Sequence, residues 1–264
     1  MNKRDVTFDL MKGLGILLMM VCHMPDIPKG VHQFVYSFHM PLFFIISGYF
    51  TKKRDRIDEN YVSDLLKKLV LPFIIVQFAL VLWGGVMSIA KHDMNFLYRY
   101  FCEFVWTSAL PWHTNYGDIY TGAVWFLLAM FWAKLFFSYL LSKSKHYFLI
   151  CFIISTIVNV TCIYCRQILY LPTFIIQGAG AVQLLAVGYW FKQNELPGWT
   201  VFVGAIAWLL AMVFGGIDLY GCYYKLYPVS IFGAIGGVYV LYLLSRNVVN
   251  MLKNICPPPV VKIC

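Results

Sequence analysis

The chain has 264 residues, of which 61% are hydrophobic, 18% aromatic and 12% charged, and it carries a net charge of +9. A soluble domain holds about 45–50% apolar and about 25% charged residues, so no globule of this size could hide so much apolar side chain from water. The basic residues lie between apolar runs rather than along one polar face, which argues against nucleic acid as a partner and for a lipid bilayer.

Hydrophobic segments recur with short gaps from Phe8 to Leu244 and predict helices over 6–24, 34–50, 69–90, 122–141, 147–165, 173–191, 199–214 and 227–245. They read as helices because unpaired backbone groups cannot sit in lipid, and the alternating polarity of a closed barrel is absent. The expected fold class is therefore all-α, a polytopic transmembrane helical bundle of about eight spans. Residues 1–245 are expected to form a single integral-membrane domain and 246–264 a short cytoplasmic tail. The first apolar run leads into Cys22-His23-Met24-Pro25 rather than a small-residue cleavage site, so the first helix is expected to stay in the mature protein.

On that first helix Asp9, Lys12 and His23 are spaced by three and eleven residues, and at ~100° per residue they point within roughly 60° of one another. Ionisable groups inside spans are costly and mark function or a snorkelling side chain. Asp9 and Lys12 are i,i+3 neighbours able to pair. Lys12 and His23 are separated by roughly 16 Å along the axis, so they serve different ends of the helix. His23 is expected to be a buried imidazole near the outer end.

The second span contains Phe38-His39-Met40-Pro41-Leu42-Phe43-Phe44 and then Ser47-Gly48-Tyr49. Only a short loop joins the first two spans, so His39 should lie at a depth similar to His23 and the two rings could meet. Pro41 removes a backbone donor and can kink the helix. Ser47-Gly48 offers small surfaces for close packing with a neighbouring helix.

Orientation follows from Lys and Arg in the short loops. On one side fall Lys3, Arg4, Lys12, Lys52, Lys53, Arg54, Arg56, Lys67, Lys68, Lys143, Lys145, Lys192, Arg246, Lys253 and Lys262, and on the other only Lys29, Lys91, Arg99, Arg166 and Lys225. The first side is read as cytoplasmic, with both termini on it. Between Lys91 and Thr121 the run Phe96-Leu97-Tyr98-Arg99-Tyr100-Phe101, with Trp106, Trp112 and Tyr116, reads as an interfacial aromatic helix.

Further along, Trp125 is either a packing or interface residue or a substrate contact. Lys134 is expected to snorkel to the cytoplasmic surface, with phosphate binding as the alternative. Gln177 and Gln183 are expected to satisfy polar neighbours between helices. Cys162-x-x-Cys165 is one pair without a second, a weak zinc signal, and no metal site is expected. Cys102, Cys165 and Cys222 fall on one side, which leaves a disulfide among them open.

Taken together, Arg4-Asp5, Phe8-Asp9-Leu10-Met11-Lys12-Gly13, His23 and the Phe38-to-Tyr49 blocks resemble the membrane-bound acyltransferase 3 family, particularly the branch similar to fucose 4-O-acetylases. Weaker echoes lie in the basic stretch before Leu71-Pro72, in Val124-Trp125-Phe126-Leu127 and in Gly188-Tyr189-Trp190-Phe191-Lys192. In such proteins an Arg or Lys stands eleven positions before an essential His, here Lys12 and His23. Lys in place of Arg keeps the charge but loses bidentate phosphate geometry. Family members carry a further pair of helices after the point reached here at Ser245-Arg246-Asn247, so the resemblance implies a C-terminally shortened member.

The resemblance implies transfer of an acyl group, usually acetyl from acetyl-CoA, to a hydroxyl of a carbohydrate or cell-envelope glycan, in a bacterial inner membrane. It casts His23, His39 and Asp9 as catalytic residues, with His23 as general base. Lys12, Lys52, Lys53, Arg54, Lys67 and Lys68 would hold the phosphates of the acyl-CoA, and Ser47 and Trp125 would contact substrate. Two other classes compete: a transporter or flippase of a small or lipid-linked solute, which would be expected to show paired broken helices, and an inactive acyltransferase-like membrane module.

Overall fold

The computed structural model describes residues 5–24, 26–98, 100–102, 124–165, 172–214 and 216–255. In chain order the helices are α1 (Val6–Cys22), α2 (Lys29–Tyr36), α3 (His39–Tyr49), α4 (Glu59–Leu65), α5 (Leu71–Lys91), α6 (Trp125–Lys143), α7 (Tyr147–Tyr164), α8 (Thr173–Gln193), α9 (Thr200–Phe214) and α10 (Val229–Ile255). A π-helical turn, Leu66–Val70, joins α4 to α5, and residues 95–98 and 100–102 are also helical.

Local chemistry sets several of these boundaries. Asp5 caps α1 by accepting from the Thr7 amide at 3.0 Å, and Asp58 caps α4 by accepting from the Tyr61 amide at 2.9 Å. Pro72 stands in the first turn of α5, directly after the π-helical turn, where its fixed φ suits the helix. That helix ends at His92, which takes the left-handed conformation at φ 50°.

Five helical stretches are long and apolar enough to cross a bilayer among the described residues: Glu59–Lys91, Trp125–Lys143, Tyr147–Tyr164, Thr173–Gln193 and Val229–Asn254. The chain is a helical integral membrane protein. Along α5 the residues Ile75, Phe78, Leu82, Val86 and Ile89 recur every three or four positions and are all exposed, an apolar stripe that only lipid would cover. α9 presents a second, with Phe202, Val203, Ile206, Leu210 and Val213.

The expected span 34–50 is not one helix. It is α2 followed by α3, broken at Ser37-Phe38, and α3 alone has 11 residues. Pro41 falls in the first turn of α3, where it needs no kink. The break belongs instead to Ser37, whose hydroxyl donates to the Phe34 carbonyl at 2.6 Å and accepts from the Trp208 indole at 2.7 Å. The last helix runs past the expected end at 245 to Ile255. An unexpected two-stranded hairpin, β1 (Gly216–Asp218) and β2 (Tyr223–Lys225), precedes it, its turn fixed by the Asp218 carboxylate accepting from the Tyr220 amide at 3.0 Å.

The chain resolves into two compact units. The first takes the described residues up to Ile46, those from Asn194 to Ile217 and those from Tyr224 onward; the second takes Ser47 to Gln193 with Asp218–Tyr223. Within the first, α9 and α10 meet on glycine: a Cβ on Gly236 would run into the Gly204 backbone, and one on Gly233 into Ala211. Small residues of this kind let membrane helices approach closely where no hydrophobic drive exists between them. α1 joins through Phe8, tilted on Tyr242 at 5.6 Å.

Within the second unit α8 is the most enclosed helix. Gly178 admits α6, since a Cβ there would lie 2.8 Å from Trp132 and 2.9 Å from the Ala129 carbonyl. The Ser155 hydroxyl of α7 enters α8, donating to the Ala179 carbonyl at 2.9 Å and accepting from the Gln183 amide at 3.1 Å. Asn159 adds a bond from its amide to the Gly180 carbonyl at 3.3 Å. Such interhelical polar bonds satisfy groups that lipid cannot.

Candidate functional site

The buried stripe of α1 is Phe8, Met11, Gly15 and Cys22. Asp9, Lys12 and His23 each follow a stripe residue by one position, so their shared face runs ~100° round the helix from the packed one. Asp9 and Lys12 form the expected ion pair at 3.9 Å, with side chains 32% and 43% exposed. His23 caps the C-terminus of α1 and is exposed, not buried as expected. It lies past the last helical residue and one position beyond Cys22, off the packed stripe.

His39 is the buried imidazole, at 2% exposure, on the first residue of α3. The two rings are held alike. His23 Nδ1 lies 2.9 Å from the Met19 carbonyl and His39 Nδ1 2.9 Å from the Val35 carbonyl, each four residues back. A carbonyl only accepts, so Nδ1 of each ring carries the proton and the neutral imidazole keeps its lone pair on Nε2. His39 stands within electrostatic reach of both His23 and His32.

Sequence reasoning missed His32 and Tyr36. The His32 ring stacks on Tyr36 at 3.9 Å, and Tyr36 meets His39 edge-on at 4.9 Å. The signal was present as a His, Tyr, His series at i, i+4 and i+7, which one helix face would collect across α2 and its turn.

In the second unit the basic candidates surround α4 and the π-helical turn. Lys52, Lys53, Arg54, Lys67 and Lys68 are all exposed. Lys68 pairs with Asp64 at 3.7 Å. The Arg54 guanidinium sits 4.6 Å over the Tyr61 ring, and the Tyr61 hydroxyl shares a 2.6 Å hydrogen bond with Ser138 of α6. Tyr61 and Leu65 pack on Phe131 of α6, with Leu69, Val70, Trp132 and Leu135 around them. Lys67 and Lys68 thus sit on a π-helical turn, a local widening often found at functional sites.

Ser47 accepts a hydrogen bond from the Lys134 ammonium at 3.1 Å, and a Cβ on Gly48 would strike the Leu185 backbone. Ser47-Gly48 therefore forms a packing surface, and the Lys134 ammonium is hydrogen-bonded on it. The Lys192 ammonium reaches the Thr51 carbonyl at 3.4 Å. Trp125 is buried, 5.5 Å from the Tyr220 ring, whose backbone carbonyl accepts from Gln177 at 2.7 Å. Gln177 thus serves the hairpin turn, while Gln183 donates to the Gly180 carbonyl of its own helix at 3.4 Å.

Among the described residues no group of three His, Cys, Asp or Glu is placed to hold a metal ion, and Cys102, Cys165 and Cys222 are reduced thiols. Of the aromatic helix expected after Lys91, Phe96 lies under the Lys91 ammonium at 4.6 Å, whereas Arg99, Trp106, Trp112 and Tyr116 fall outside the described residues.

A stretch of 58 residues is 41% identical to the nodulation protein NolL of Sinorhizobium fredii strain NGR234, covering 18% of this chain and 16% of that protein. No solved structure matches. The acyltransferase domain family Acyl_transf_3 matches residues 5–262, nearly the whole sequence, and the chain belongs to that family.

Proposed function

We propose that this protein is a membrane O-acyltransferase that moves an acyl group, most simply acetyl, from acyl-CoA to a hydroxyl of a carbohydrate or cell-envelope glycan. The observation that carries the reading is the pair of imidazoles in electrostatic reach of each other, each with Nδ1 fixed on a backbone carbonyl. With Nδ1 as the donor, Nε2 is the ring nitrogen that carries the basic lone pair a hydroxyl proton would need.

In the proposed step His23 Nε2 takes the proton of the acceptor hydroxyl while its oxygen forms a bond to the thioester carbonyl carbon. The carbon–sulfur bond then breaks, the CoA thiolate leaves and recovers a proton, and the product is an ester. His39 orients or supports the base. Asp9 steadies Lys12, which is proposed to supply positive charge for the donor's nucleotide phosphates, and Lys52, Lys53, Arg54, Lys67 and Lys68 are each proposed as further phosphate-binding residues. The pantetheine arm would run along the open face of α1 from Lys12 toward His23, using the ~16 Å between them. Ser47 and Trp125 are read as substrate-side residues. The topology that goes with this mechanism has about eight crossings in a bacterial inner membrane, both termini cytoplasmic, one acyltransferase domain over 1–245 and a cytoplasmic tail from 246.

Membranes carrying the protein, given radiolabelled acetyl-CoA, should transfer label to envelope carbohydrate. His23→Ala should lower that transfer by about 10²- to 10⁴-fold, the usual contribution of a general base. Near-normal turnover in the variant, or solute uptake without label transfer in the parent, refutes the proposal.

A further inference from the structure

Lys134 is a half-buried ammonium in the interior of a membrane helix, and its recorded partner is a neutral hydroxyl, Ser47 Oγ at 3.1 Å. Among the described residues no carboxylate lies within ion-pair distance of it or of Lys192. A charged group so placed is expensive unless something offsets the charge. The hydroxyl takes one of three ammonium donors and neutralises nothing.

Further cations stand around Lys134, one of which, Lys68, is itself paired with Asp64 at 3.7 Å. Tyr61 and Leu65 of α4 pack on Phe131 one turn before Lys134, and the Tyr61 hydroxyl bonds Ser138 one turn after it. The π-helical turn that carries Lys67 and Lys68 follows α4 directly and packs on the same helix through Leu69 and Val70. Lys68 acts electrostatically on Lys134. From α8, Lys192 reaches Thr51, whose hydroxyl in turn bonds the Ser47 carbonyl at 2.9 Å. Ammonium groups from α6 and α8, Lys134 and Lys192, therefore meet the C-terminal end of α3 with no carboxylate on either among the described residues, and Lys68 adds its field although Asp64 pairs with it, an arrangement that favours an arriving anion.

We infer that Lys134 is a phosphate-binding residue, held ready by Ser47 and supported by Lys68 and Lys192, and that the phosphate it takes belongs to the acyl donor. This rests on the acyl-CoA reading above and adds to it a residue and a location. A lipid headgroup offers the same phosphate chemistry, so the test must separate the two sources. Ammonium is a compact point charge that suits a phosphate oxygen without demanding a fixed fork geometry.

The full-length protein in phosphatidylcholine vesicles, with and without phosphatidylglycerol, is assayed with acetyl-CoA and with S-acetylpantetheine, which lacks the nucleotide phosphates. Lys134→Gln should raise KM for acetyl-CoA by roughly tenfold to a hundredfold, the effect of losing one hydrogen bond to a charged group. KM for S-acetylpantetheine should stay within about twofold, and Lys134→Arg should stay close to the parent on both donors. CoA should raise the unfolding midpoint of the parent and of Lys134→Arg but not of Lys134→Gln. That binding readout needs no turnover, so it stands even where no acyl transfer is seen and the broader reading fails. Equal loss on both donors, or retained CoA stabilisation in Lys134→Gln, overturns the inference. So does a Lys134→Gln effect that appears only with phosphatidylglycerol and is the same for both donors, which would assign the phosphate to lipid.

Discussion

Gly48→Ala isolates the closest helix approach in the second unit. A Cβ built there would lie 2.7 Å from both the carbonyl carbon and the Cα of Leu185, and closer still to the carbonyl oxygen. All three atoms are backbone, so no side chain can rotate away, and ordinary contact requires α3 and α8 to part by something on the order of 1 Å. Overpacking of this kind costs about 1–3 kcal/mol, and the small-residue contact that holds membrane helices together is lost with it. Because the Ser47 hydroxyl sits on the neighbouring residue and accepts from Lys134, the shift should also stretch that 3.1 Å bond. The assay is thermal unfolding of the purified protein in detergent, followed by tryptophan fluorescence. Gly30→Ala serves as control, since nothing lies within 4 Å of a Cβ there, and a helical Gly→Ala change should be neutral or stabilising by about 0.5–1 kcal/mol. If Gly48→Ala matched Gly30→Ala, the close seating of α3 on Leu185 would be wrong.

Tyr61→Phe leaves the buried Ser138 hydroxyl without its 2.6 Å partner, a loss of about 1–3 kcal/mol; Ser138→Ala in the same chain should recover most of it, and simple additivity of the two changes would dismiss the bond. Asp9→Asn breaks an ion pair whose side chains are 32% and 43% exposed, so unfolding should shift by under about 1 kcal/mol. Acyl transfer should fall by about tenfold or more if Asp9 steadies Lys12 on the donor, an effect of roughly 1.4 kcal/mol in the transition state. Unchanged transfer at unchanged stability would remove Asp9 from the mechanism.

Helix positions were legible because a bilayer leaves few options for an apolar run: each expected segment coincides with described helix, and α6, α7, α8 and α9 begin and end within a few residues of the expected bounds. The break inside 34–50 was not legible, because its cause is tertiary. Ser37 looks like an ordinary small polar residue until Trp208, far along the chain, is seen to donate to it. The adjacent Pro41 drew attention instead, and in a first turn it disturbs nothing. The α4 segment was hidden for another reason. Its worth lies in a tyrosine and a leucine packing on a distant helix, and seven residues are too few to show a periodicity. At the site, the Asp9 to Lys12 pair followed from spacing alone, whereas the unequal burial of His23 and His39 depended on where α1 stops.

That inequality bears on which imidazole does the proton work. A base must accept a proton and then release it, and a ring enclosed at 2% exposure has no ready exchange with solvent or with an arriving hydroxyl. His39 is also wedged against Tyr36, itself stacked on His32, so its orientation is fixed from two sides. His23 has the same Nδ1 anchor but stands exposed at the C-terminal end of α1. Under the proposed mechanism the exposed His23 is therefore the imidazole that would meet substrate, and the buried His39 would serve as a fixed polar group. Exchanging the two roles would require the buried ring to be uncovered from a segment in which Val35, Phe38 and His39 all have almost no exposed surface.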